Sequence, residues 1–166
     1  MSKKLFIALG VAVLAAVSFA APATAQAQDR PFQLALFSPI QIYPPNYEIS
    51  GIRLNLIYGK NANVTGVDWG LINHTTTGQS VGWQLGVVGL VEADFMGWQD
   101  NWVNIVQGNF QGLQWGLVNS ANHASGLQFG LVNYARTLHG LQIGLINIIK
   151  QGGQFPVFPI VNWSFD

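Results

Sequence analysis

Gly112-Leu113-Gln114-Trp115-Gly116-Leu117-Val118-Asn119 is followed by the near-copies GLQFGLVN at 126–133 and GLQIGLIN at 140–147. Looser copies start at Gly51, Gly66, Gly82 and Gly97, so successive starts lie 15, 16, 15, 15, 14 and 14 residues apart. A fixed short period marks an array in which each unit covers the next. Numbering the phrase 1 to 8, position 7 is β-branched in every copy: Ile57, Ile72, Val88, Val103, Val118, Val132 and Ile146. Positions 2, 4 and 6 are mostly large and apolar, with Gln and Gly between them, which is the period-two pattern of a strand. Glycine at positions 1 and 5 would weaken a helix by about 1 kcal/mol each relative to alanine. The six to eight small or polar residues between phrases, such as 120–125, read as turns with a second short strand.

Two all-β architectures use such a unit. One is a parallel β-solenoid with about 14–16 residues per coil; the other is a small antiparallel β-barrel. Direction favours the solenoid. The closing Asn (Asn73, Asn104, Asn119, Asn133, Asn147) stacks into a hydrogen-bonded ladder only if the copies run parallel. Height favours it too. Three apolar residues on one face cover roughly 15 Å, whereas a membrane barrel needs a band about 25 Å tall. Asp100 also falls on that face. Proline is absent between Pro45 and Pro156 but present on both sides, as expected for capped edges. The segment Phe158-Pro159-Ile160-Val161-Asn162 reads as an eighth coil matching positions 4 to 8. Phe37-Ser38-Pro39-Ile40-Gln41-Ile42 reads as a coil before the first. Eight or nine coils would form a rod about 40 Å long.

The expected organisation is a signal peptide at 1–27, a lead-in or cap at 28–50, a body of seven units at 51–152 and a closing cap at 153–166. Lys3 and Lys4 precede the apolar run Leu5 to Ala21, and Ala23-Thr24-Ala25 offers small residues for cleavage. The run is short for a bilayer span of about 20 residues. There is no cysteine, so no disulfide or thiolate metal site is available. From Gln28 onward there are five basic and seven acidic residues, a balance of 5 − 7 = −2. No basic patch is available to attract nucleic acid or anionic lipid. Only 8% of residues are charged, so the polar surface must come from amides and hydroxyls.

Alternation divides the phrase into an apolar face at 2, 4 and 6, expected to fill the interior, and an outward Gln/Gly face. Ala121, Ala124 and Ala135 would let the opposite side approach. The tryptophans, including Trp69, Trp83, Trp98, Trp102 and Trp115, read as core. Gln84, Gln99, Gln114, Gln128 and Gln142 would form a polar stripe, either pairing with one another as a ladder or binding an envelope polymer or a second copy. His74, His123 and His139 are the only histidines; His123 and His139 read as exposed turn residues, with no metal cluster in the sequence. Asp68 and Asp100 could in principle act as an acid/base pair, but stand two coils, roughly 10 Å, apart. Glu92 and Asp94 read as solvated. No nucleophile elbow, phosphate loop or His-Glu-x-x-His is present, and no cofactor is expected.

With GLQWGLVN, GLQFGLVN, GLQIGLIN and FPVFPIVNWSF in view, the chain resembles the bacterial surface repeat proteins that carry GLQxGLxN repeats, found in spirochaetes and other Gram-negative bacteria. The likeness covers about 36–165. It implies an exported protein of the periplasm, outer membrane or cell surface, with a structural or adhesive role and no catalytic residue to carry over. A small outer-membrane barrel is the alternative. The copies at Gly82 and Gly97 depart from the pattern, with Gly89 in place of Asn and Asp100-Asn101 in mid-phrase, and predict a local distortion.

Overall fold

The computed structural model describes residues 30–165; the expected signal peptide lies outside them. The described residues are all-β. The strands are β1 (Phe32–Phe37), β2 (Ile40–Gln41), β3 (Ile49–Asn61), β4 (Val64–Thr75), β5 (Gln79–Val91), β6 (Asp94–Trp115), β7 (Val118–Phe129), β8 (Val132–Gln151) and β9 (Val157–Ser164). They form one sheet in the order β2-β1-β3-β4-β5-β6-β7-β8-β9. Every pairing from β1/β3 to β7/β8 is parallel, and each repeat glycine lies beside the next from Gly51 to Gly140. This is the expected parallel β-solenoid. The barrel alternative does not hold, because the wrap is parallel and the edge strands β2 and β9 do not meet.

Each coil turns at position 1. Gly51, Gly66, Gly82, Gly97, Gly112, Gly126 and Gly140 have φ between +128° and +147°, backbone that only glycine adopts freely. A Cβ there would also overlap the carbonyl oxygen of the preceding coil; on Gly126 it would strike that of Gly112. A second bend follows position 6. Leu117 and Val118 are both exposed and Asn119 is buried, so two successive side chains point outward. Leu145, Ile146 and Asn147 repeat the pattern.

The parity of the phrase is the reverse of the sequence expectation. Gln84, Gln99, Gln114, Gln128 and Gln142 are buried, while Trp69, Trp83, Trp98, Trp102 and Trp115 are exposed. The outward Gln stripe is therefore corrected to an inward ladder. Gln142 Nε2 donates to Gln128 Oε1 at 2.7 Å, Gln128 to Gln114 at 2.7 Å, Gln114 to Gln99 at 2.8 Å and Gln99 to Gln84 at 2.9 Å. Gln84 then donates to Asp68 Oδ2 at 2.9 Å. The physical reason is satisfaction in columns. An amide stacked on an identical amide gains one bond per coil at no lateral cost, so within the column only the last acceptor, Gln142 Oε1, is buried without a partner. Tryptophan and leucine pointing into the same space would leave those amides facing solvent and would not fit behind the glycines of position 5.

The Asn ladder forms from Asn104 to Asn147 and runs in the opposite sense, while Asn73, separated from it by Gly89, donates to the Leu85 carbonyl instead. Asn104 Nδ2 donates to Asn119 Oδ1, Asn119 to Asn133 and Asn133 to Asn147, each at 2.8 Å. Position 5 must be small beside it, since a Cβ on Gly144 would meet the Gly130 carbonyl and the Asn133 amide. Where the pattern departs, the departures compensate. A Cβ on Gly89 would enter space taken by the Asn101 amide, which donates to Asn104 Oδ1 at 2.7 Å. Asn55 stands beside Gly59 in the same way and donates to Asn73 at 2.8 Å. The predicted distortion at Gly82–Gly97 is absent, and β5 and β6 stay in register from Gln79↔Asp94 to Val91↔Val106.

The apolar core occupies the other half of the cross-section. Val91, Val106, Ala121, Ala135 and Ile149 are buried two residues past position 8, and Phe95, Phe110, Ala124 and Leu138 face them from the return segment. Phe95 and Phe110 stack with centroids 6.3 Å apart.

Three registers differ from the sequence reading. Tyr58, not Ile57, lies beside Ile72, because β3 carries one extra residue. The lead-in coil is Phe32–Phe37, with Gln33 in the Gln column beside Arg53, rather than the stretch from Phe37 to Ile42. The closing segment is no eighth coil. β9 runs antiparallel to β8, with Asn162 opposite Gln142 and Ile160 opposite Gly144. A tight return after Gln151 leaves no residues for another circuit, so the strand folds back as a lid.

Candidate functional site

The inward amides leave the apolar residues outside. Over β3 to β8, positions 2, 4, 6 and 7 carry a single charged residue, Asp100. Trp69, Trp102 and Leu145 are each more than 60% exposed. From position 2 to position 7 the apolar columns measure about 17 Å by about 34 Å, on the order of 600 Å². The largest apolar patch of an ordinary monomer covers about 300–600 Å².

A groove runs down this surface between the columns at positions 4 and 6. In the C-terminal half it has a volume of about 590 Å³, with Trp115, Phe129 and Ile143 along one wall, Leu117, Leu131 and Leu145 along the other, and Gly116, Gly130 and Gly144 as its floor. Asp100 closes one end and Ile160 the other. The same columns form a smaller groove of about 280 Å³ toward the N-terminus, around Leu54, Trp69 and Leu71. Trp115 and Phe129 stack at 4.5 Å, and Trp83 and Trp98 at 5.2 Å. Stacked rings cover each other's faces and turn their edges outward, which does not make a platform for a sugar ring.

The borders of this surface mix polar residues with apolar ones, among them Val81, Met96, Leu90, Ile105 and Ile148. Position 2, with Trp83, Trp98 and the β9 residue Trp163 in register, adjoins the glycine corner and a column containing Ser50, Thr65, Gln111, Ser125 and His139. Position 9 carries Lys60, His74, Ser120 and Tyr134, and Arg136 and Lys150 stand two residues beyond it.

The carboxylates are not brought together. Asp68 points inward and Asp100 outward, on opposite faces of the sheet. Asp68 is held by Arg53, with Nε and Nη2 donating to its two oxygens at 2.7 Å each. The histidines are not alike. His123 is exposed and bonds Thr137 at 2.7 Å, and His139 meets the edge of the Phe165 ring. His74 is buried on β4. Its Nδ1 lies 2.7 Å from Tyr58 Oη and its Nε2 lies 2.7 Å from Glu92 Oε1. Glu92 is thus a partner of His74, and Asp94 accepts from the Asn109 backbone and side-chain amides. Sequence reasoning missed this diagonal because its members occupy positions 7, 9 and 11 of three coils, a relation visible only once the register is known.

The Tyr58 hydroxyl is pushed above its ordinary value, first by burial and then by the Glu92 charge, with Arg53 opposing. A phenol raised in the folded state stabilises the fold below the ordinary pKa near 10, and that contribution is lost as pH rises through the folded value. The Tyr58 contribution to stability should therefore be constant up to a pH of about 10 and decline above it, and chemical denaturation of Tyr58→Phe should lack that part of the alkaline decline.

No group of three or more His, Cys, Asp or Glu capable of holding a metal occurs among the described residues. Comparison with protein-family models, curated proteins and solved structures found no match.

Proposed function

We propose that this chain is an exported, non-enzymatic repeat protein of a Gram-negative cell envelope, working as a structural or adhesive scaffold. Its working surface is the apolar outer side rather than the glutamine column. One observation carries the reading: a solenoid with amides inside and leucine and tryptophan outside presents a continuous apolar surface at the top of the range a free monomer keeps. The leader-like sequence before Gln28 and the resemblance to surface repeat proteins support the envelope as its place. Asp68 and Asp100 support a non-catalytic role, since Asp68 is occupied by Arg53 and Asp100 lies on the opposite face of the sheet.

The test is export. Residues 1–29 fused to alkaline phosphatase, which is active only outside the cytoplasm, should give active enzyme in a Gram-negative host. The untagged chain should fractionate with the envelope. An inactive fusion together with a cytoplasmic chain would overturn the assignment.

A further inference from the structure

We infer that the outer side of the solenoid docks on a lipid surface. This rests on the apolar side being the working face. The choice of lipid over a second copy comes from shape, from the middle of the face and from its borders. The apolar surface continues round the bend after position 6, where Leu145 and Ile146 both point outward. A rigid copy can cover one side of a convex edge, whereas a fluid layer can cover both. Asp100 lies near the middle of the array, in the fourth of seven repeats. Asp100 therefore opposes both occupants, but a two-fold partner centred on the face doubly, since it would bring two carboxylates together in a desolvated contact, whereas lipid meets one and need only leave it at headgroup depth.

The borders match an interface between hydrocarbon and water. Tryptophans 83, 98 and 163 line one margin and Tyr134 the other, where amphipathic rings sit at headgroup depth. Arg136 and Lys150, just beyond Tyr134, can reach anionic headgroups while their stems lie on the apolar side. The opposite flank, with Gln111, Ser125 and Thr137, would stay in water. The solenoid is in effect an amphipathic body that lies in the surface and does not span it.

Flotation of the purified full chain with vesicles of phosphatidylethanolamine and phosphatidylglycerol tests this. The wild type should float with the lipid, with its tryptophan emission shifted to the blue. Leu131→Glu with Leu145→Glu should lower the bound fraction by tenfold or more, since each places a charge in hydrocarbon. Arg136→Glu should lower it about fivefold, and less in high salt. Asp100→Asn should raise it. Far-UV circular dichroism confirms that each variant keeps its fold; these positions are exposed and tolerate change.

Flotation that survives every substitution would belong to the apolar run at 5–21 and would overturn the inference. A folded chain that stays in the aqueous phase, as a monomer or as a dimer by sedimentation, would overturn it as well. Neither result alters the alkaline phosphatase readout, so the envelope assignment stands or falls separately.

Discussion

Replacing Arg53 with methionine should destabilise the fold by about 3–5 kcal/mol, the cost of leaving a buried charge without its partner. Arg53 and Asp68 form a two-pronged pair whose side chains are 0% and 5% exposed. Without the guanidinium, Asp68 keeps only amide donors: Gln84 Nε2 at 2.9 Å and Asn55 Nδ2 at 3.3 Å. Those hydrogen bonds do not neutralise a carboxylate in a closed interior. At roughly 3 °C per kcal/mol, the melting temperature should fall by about 10 °C. The double variant Arg53→Gln with Asp68→Gln supplies the control. It extends the glutamine column through two more coils, toward Gln33, and exchanges an ion pair for matched amides. Replacing a complete buried pair is often neutral or stabilising, so the double variant should recover to within about 1 kcal/mol of wild type. Thermal and denaturant unfolding of the three proteins measure this. A single variant that loses less than about 1 kcal/mol would mean that the pair is not closed off from water.

Gly126→Ala should be equally severe, for a different reason. Gly126 has φ of +130°, and a Cβ would overlap the Gly112 carbonyl in the coil below. Backbone in this region costs a non-glycine residue about 1–3 kcal/mol, and the overlap adds to it. Relief would require two coils to separate, which breaks the ladders on both sides. A loss of at least about 4 kcal/mol is expected, in the range reserved for a specific structural conflict. Gly152→Ala is the comparison. Its φ is +73° and nothing lies within 4 Å of the added carbon, so the cost should be limited to about 1 kcal/mol of backbone strain. Equal losses at the two sites would refute the claim that stacking distance selects glycine at position 1.

The architecture was legible in the phrase itself. Its period, its strand alternation and the constant place of Asn led to a parallel stack, and the Asn residues do form a ladder. Which face lies inside was not legible from hydrophobicity, because hydrophobicity points to Leu113, Trp115 and Leu117. The chain's own repeats held a better signal. Position 4 varies among Leu, Trp, Asp, Phe and Ile, as a solvent-facing site can. Position 3 is Gln in five successive copies and position 8 is Asn in five of seven. A column of amides bonding end to end needs the same residue in each coil, so uniformity marks the interior more reliably than apolarity here. Asp100 was a second clue, since a carboxylate on the supposed core face had no partner. The groove was invisible for the same reason, as its walls were assigned to the core. The antiparallel course of β9 could not be read because Phe158 to Asn162 mimics the phrase in composition, while direction depends on the length of the return after Gln151.

The two amide columns also behave like polymers with defined end groups. The glutamine chain is terminated by Asp68, which can only accept. The asparagine chain ends on the Phe158 carbonyl of β9, which accepts from Asn147 at 3.2 Å. The three copies from Gly112 to Asn147 are chemically equivalent to one another. Duplicating the coil from Gly112 to Ser125 would add one link to each chain and leave both end groups in place. Deleting the coil that holds Asp68 would strand an amide at the head of the glutamine chain. Copy number can thus change freely in the middle of the stack and not at its ends, so members of such a lineage would differ by whole coils while keeping their termini.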